Sequence, residues 1–171
     1  MSATSDLRDV LRRQSVGSQA ELTVEATMAS MAIRAVRSDP EVHLGILPLR
    51  AVERMLDRID QLAQYRKDGQ LGDLVSKEQV AKDSLDLVQV MARAARQDDD
   101  TQDAGVPAFP VLDSLIDYRQ SVEIDSASDQ INVVDKDGAA DLAEALEKLG
   151  NEMLATAVAE DRLRTSHYAV I

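Results

Sequence analysis

The chain has no cysteine among its 171 residues, which removes disulfide frameworks, thiolate metal sites and cysteine nucleophiles together and makes a reducing compartment the natural setting. Tryptophan is absent too, and Tyr65, Phe109, Tyr118 and Tyr168 are the only aromatic residues. Small-molecule pockets commonly use aromatic walls, so this poverty argues against an enzyme of that kind. With 44% hydrophobic residues, the core must be built from Leu, Val, Ile, Met and Ala, an inventory that suits helices packed on helices. Only two histidines occur, His43 and His167, far apart and without an H-x-x-H or H-E-x-x-H spacing, so no metal site is expected. No G-x-x-x-x-G-K, G-x-G-x-x-G or G-x-S-x-G string is present either, which leaves phosphate cradles and nucleophile elbows without support. No cofactor and no catalytic residue is therefore expected.

Long apolar runs are also lacking. The most apolar stretch, Leu22 to Val36, contains Glu25 and Arg34 and is too short to span a bilayer. Met1 to Arg13 has no apolar segment of the secretory kind, so a cytoplasmic location is expected. Basic charge is scarce in one part only. Residues 1–67 hold ten Lys/Arg against nine Asp/Glu, whereas residues 68–171 hold nine against twenty-two, within a net charge of −12. The acidic part repels phosphate backbones and anionic lipid, so any nucleic-acid contact would come from the N-terminal third, where Arg8, Arg12 and Arg13 form the one basic cluster.

The pattern that is present is helical. After a short helix expected at about Ser5 to Arg13, Ser18-Gln19-Ala20-Glu21 fits a capping box. It predicts a second helix running to about Arg37, stopped by Asp39-Pro40. Ala26, Ala29, Ser30, Ala32 and Ala35 there alternate with Val24, Met28, Met31, Ile33 and Val36, so apolar groups surround nearly the whole circumference. Such a helix is either central in its own domain or packed against copies of itself. Pro48 suits the first turn of the next helix, whose apolar positions Val52, Met55, Leu56, Ile59 and Leu62 recur at three and four. Gly69 and Gly72 end it, and a second capping box at Ser76-Lys77-Glu78-Gln79 opens a helix reaching about Arg96, which makes an αα-hairpin of about 48–96.

Residues 98–110 read as an acidic and proline-containing linker between an N-terminal helical part, 1–97, and a C-terminal part, 111–171. The latter predicts a short helix from Pro110, a small β-hairpin at about 122–134 around a polar tip, and a final helix capped by Asp137. Asp135-Lys136-Asp137-Gly138 has the look of an EF-hand centre, but aligning Gly138 with the invariant glycine places Val133, which has no oxygen to give, at the first ligand position. Leu142, Leu146, Leu149 and Met153 follow a 4-3-4 spacing that looks for a partner helix, with Gly150 expected to weaken or kink it. The fold expected is mainly α, a helical bundle with one αα-hairpin and one β-hairpin.

Gly72-Asp73-Leu74-Val75-Ser76-Lys77-Glu78-Gln79-Val80, followed by a helix ending in Arg93 and Arg96, resembles the G-(E/D)-L-V-x-x-x-x-V stretch of some phage terminase small subunits. The resemblance covers residues 72–96. It implies a non-catalytic ring-forming oligomer whose N-terminal helix-turn-helix binds viral DNA. From the residues themselves, the expectation is a non-catalytic structural or assembly protein forming a homo-oligomer or part of a larger complex, as a virion component, adaptor or scaffold does. The candidate interface is Met28, Met31, Ile33, Val36, Leu142, Leu146, Leu149 and Met153. DNA packaging and a regulatory or chaperone-like binding module are the alternatives, and the location would be the virion if the chain is phage-encoded.

Overall fold

The computed structural model describes the backbone of residues 3–72, 87–96 and 110–169, with side chains over 21–72, 88–95 and 111–155. Five helices carry most of it: α1 (Ala3–Ser38), α2 (Ile46–Lys67), α3 (Leu87–Arg96), α4 (Pro110–Tyr118) and α5 (Lys136–Ala169). A 3-10 turn (Arg119–Ser121) leads into strands β1 (Val122–Asp125) and β2 (Gln130–Val133). The protein is thus mainly α with one small antiparallel hairpin.

The N-terminal helix corrects the sequence reading. Instead of two helices separated before Ser18, a single helix of 36 residues runs from Ala3 to Ser38. Once a helix is nucleated, each further residue adds a hydrogen bond, so a capping-box string does not by itself interrupt it, even directly after Gly17. It ends where expected: Asp39 N–H still donates to Ala35 O, and the Asp39 carboxylate then accepts from Glu41 N–H at 3.0 Å, turning the chain. α2 ends on a Schellman motif. Gly69 sits at φ +71°, Gly69 N–H donates to Arg66 O, and Gln70 N–H donates to Tyr65 O. The far arm of the expected αα-hairpin is seen only in α3, since residues 73–86, with the second capping box, lie outside the described residues.

Three contacts fix how α1 meets α5. Arg37 Nε donates to Lys136 O at 2.6 Å, and Ser30 Oγ donates to Ala143 O at 2.6 Å. Gly150 faces Thr23, Ala26 and Thr27. Positions 37, 30 and 23 thus meet 136, 143 and 150, an antiparallel pairing stepping seven residues at a time on both helices, as in a coiled-coil seam. α5 is one helix through Gly150. Gly150 lies where the helices approach, and a β-carbon there would come within 3.1 Å of Thr27 Oγ1 and 3.4 Å of Thr23 O.

Leu142, Leu146, Leu149 and Met153 are therefore buried against the chain's own helices, and the seam that looked unpaired in the sequence is paired internally. On its other flank α1 packs along α2, with Ala26, Ala29, Ile33, Met55, Ile59 and Leu62 all buried. α4 packs on α5, and α3 contacts the four other described helices. One hydrophobic cluster includes residues from both 1–97 and 111–171, so the two sequence parts share a core. Arg119 clamps Asp60 through two bonds of 3.0 and 3.1 Å, and Arg66 reaches Asp113 at 2.6 Å, tying α2 to the α4 end of the C-terminal part.

The hairpin pairs Val122 with Val133 and Ile124 with Ile131, burying Val122 and Ile131 on the inner face. At its tip, Asp125 accepts from the Ser128 hydroxyl and, at 3.0 Å, from Ala127 N–H, and these bonds hold its carboxyl below the usual carboxylate range. The stabilisation is present above the unfolded carboxylate pKa and is lost as pH falls through the lower, folded value. Replacing Ser128 with Ala should raise the Asp125 titration midpoint, read by carboxyl-carbon NMR shifts. A midpoint unmoved by the substitution would contradict this account.

Candidate interaction surface

Asp135, rather than Asp137, caps α5. Its Oδ1 accepts from Asp137 N–H at 3.2 Å while its carbonyl accepts from Ala139 N–H at 2.9 Å. A short side chain one residue before the helix is the one placed to reach the second free N–H, which the sequence pattern could not distinguish from its neighbour two residues on. The EF-hand-like string is thus a helix start, with Gly138 pressed onto buried Ser121. Among the described residues no group of three or more His, Asp or Glu side chains is disposed to hold a metal ion.

Two concavities stand out. One of about 290 Å³ lies between the loop after α1 and the hairpin tip, lined in part by His43, Leu44, Ile46 and Ser128. The other, about 270 Å³, lies between α4 and α5 and includes Ser114, Tyr118, Asp141 and Lys148. His43 is exposed.

Large apolar side chains are exposed at Ile46 and Leu47 at the start of α2, at Val134 after the hairpin, and along α1. Ile33 and Val36 are buried and Met28 is half-buried, as a core helix requires. Met31, however, is 65% exposed and Val24 57% exposed. With Glu21, Thr27 and Arg34, also exposed, they form a single stripe at helical spacing. One border of the stripe is the Arg34–Glu147 ion pair of 2.7 Å; the other is Glu25, held by Arg58 and, at 3.7 Å, by Arg54. Glu147 and Leu154 lie seven residues apart on α5 and so share a side of that helix. Leu154, 48% exposed, thereby adds to the same surface.

Of the eight interface candidates named from sequence, only Met31 is openly exposed; Leu142, Leu146, Leu149, Met153, Ile33 and Val36 belong to the core of the single chain. Val24 and Leu154 were missed, because hydrophobicity alone does not tell which side of an all-round apolar helix its neighbours cover. Arg8, Arg12 and Arg13 lie within α1, but their side chains fall outside the described residues, as does most of the stretch resembling terminase small subunits. Among the described residues no helix is long and apolar enough to cross a membrane. No family model matches the chain, and neither a curated protein nor a solved structure matches it.

Proposed function

We propose that this chain is a non-catalytic assembly protein that works by packing against copies of itself, as a structural component or scaffold of a larger complex. The observation that carries the reading is the exposed apolar stripe on α1, a helix otherwise enclosed by α2 and α5. A methionine and a valine facing water along a central helix lose the stabilisation that burial would give, roughly 1.5–3 kcal/mol for each fully buried side chain, and a second surface supplies that burial. Acidic groups around the last helix suit the reading. Asp141 and Glu144 are exposed, where charge sets specificity and solubility more than affinity.

The experiment is the mass in solution over a range of concentrations, with a duplex-DNA binding measurement beside it. A defined oligomer that leaves DNA alone is the expected result. A ring that binds duplex DNA would move the role to packaging, and a monomer at all concentrations would overturn the reading.

A further inference from the structure

One edge of the hairpin opens into a cleft. We infer that an extended peptide, with aliphatic side chains at alternate positions and basic residues between them, adds to β2 there as a third strand. The inference goes beyond the self-association proposed above and uses a different surface.

The described sheet consists of β1 and β2 alone, so β2 pairs on one side and directs its other N–H and C=O groups away from β1. That side meets the cleft of about 290 Å³ between the hairpin tip and the loop after α1. Gln130 and Ile131 point to opposite faces of the hairpin, the first exposed and the second buried. Both nevertheless line the cleft, whereas their β1 partners Asp125 and Ile124 do not. A cleft on one face would take alternate residues from both strands. One that takes consecutive residues of a single strand runs along its edge, where an extended chain can exchange backbone hydrogen bonds with it. Two strands alone are marginal, so a third also strengthens the hairpin itself.

The lining specifies what that strand carries. Ile124 and Ile131 are paired on the inner face of the hairpin. The next position in their row falls in the cleft, which Val36 and Leu49 also line, so an aliphatic side chain there continues the row. Ile46, 66% exposed on the same cleft, gains cover from it. Apart from His43, the titratable groups of the lining are Glu41 and Asp129, with no Lys or Arg among them. Basic residues between the aliphatic ones are therefore attracted, and acidic ones are repelled.

The test uses the full chain and a fluorescent peptide of sequence Lys-Val-Lys-Val-Lys with blocked ends, followed by anisotropy at low salt. Saturable binding is expected, at least tenfold weaker when the three lysines are replaced by glutamates. Two further peptides carry esters in place of the amide N–H groups, one at the valines and one at the lysines. Alternate N–H groups of a strand point to the same edge, so at least one of the two should bind about tenfold more weakly. Glu41→Gln combined with Asp129→Gly should weaken the parent peptide about fivefold without disturbing the fold, since glycine readily adopts the φ of +51° that Asp129 holds. Saturating peptide should also slow amide exchange within residues 130–133, read by NMR. No saturable binding at millimolar peptide, or two esters that bind like the parent, would overturn strand addition. Unchanged affinity in the double variant, or slowed exchange elsewhere and not in β2, would overturn the site. Exchange in β2 that slows with protein concentration alone would mean that a second copy, not a foreign peptide, fills the edge.

Discussion

Replacing Leu146 with Asp should unfold the subunit, not merely release it from an assembly. Leu146 has no exposed surface and lies on α5 beside Ala143, whose carbonyl accepts from Ser30 of α1. Truncation to Ala at such a position costs about 2–5 kcal/mol through lost transfer energy and the cavity left behind. A carboxylate does worse, since it must be buried unpaired or protonated at a cost added to the same cavity. A domain of ordinary stability has about 5–15 kcal/mol in total, so Leu146→Ala should melt many degrees early and Leu146→Asp should show little native circular dichroism at ambient temperature. A Leu146→Asp chain with native melting would mean that α5 is not packed on α1 as described.

Gly138 should behave against the usual rule for glycine in helices. Alanine in place of a helical glycine ordinarily gains about 0.5–1 kcal/mol. Here a β-carbon would overlap Ser121 Oγ and come within 2.9 Å of Ser121 Cβ and 3.2 Å of Asp135 Oδ2. Rotating the hydroxyl away relieves only part of the overlap, because Ser121 Cβ is fixed by its backbone. The Ser121 carbonyl accepts from Val134 and Asp135 N–H groups at 2.8 and 3.2 Å, so that backbone is anchored in turn. Gly138→Ala should therefore lower stability by about 1–3 kcal/mol, the usual range for forced overpacking. Adding Ser121→Gly, which removes the obstructing atoms, should return part of the loss. Urea midpoints of the two singles and the double decide it, and a Gly138→Ala chain more stable than wild type would refute the close approach.

Helix periodicity was readable wherever one face is apolar and the other polar, as in α2, and the turn residues of the hairpin announced themselves through polarity. The seam of α5 was legible as a seam. What could not be read was its partner, because Leu142, Leu146 and Leu149 would look the same packed on α1 of their own chain or on a second copy. Ser18 misled for a related reason. A capping box is four residues of local chemistry, and whether it begins a helix or lies inside one depends on what the flanking turns bury. The exposed stripe was hidden for the converse reason: Val24 and Met31 differ from Ile33 only in which neighbour stands beside them.

The seven-residue step between α1 and α5 limits how the chain can change in length. Removing one residue from α5 between Ala143 and Gly150 would rotate everything beyond it by about 100°, turning Gly150 away from Thr23 and exposing Met153. Removing seven from α5 alone keeps the faces aligned but draws one helix past the other by about 10 Å, at 1.5 Å per residue. Only matched losses of seven from both helices preserve face and level together. Tolerated length variants of this protein should therefore come as paired heptads, one in each half of the chain.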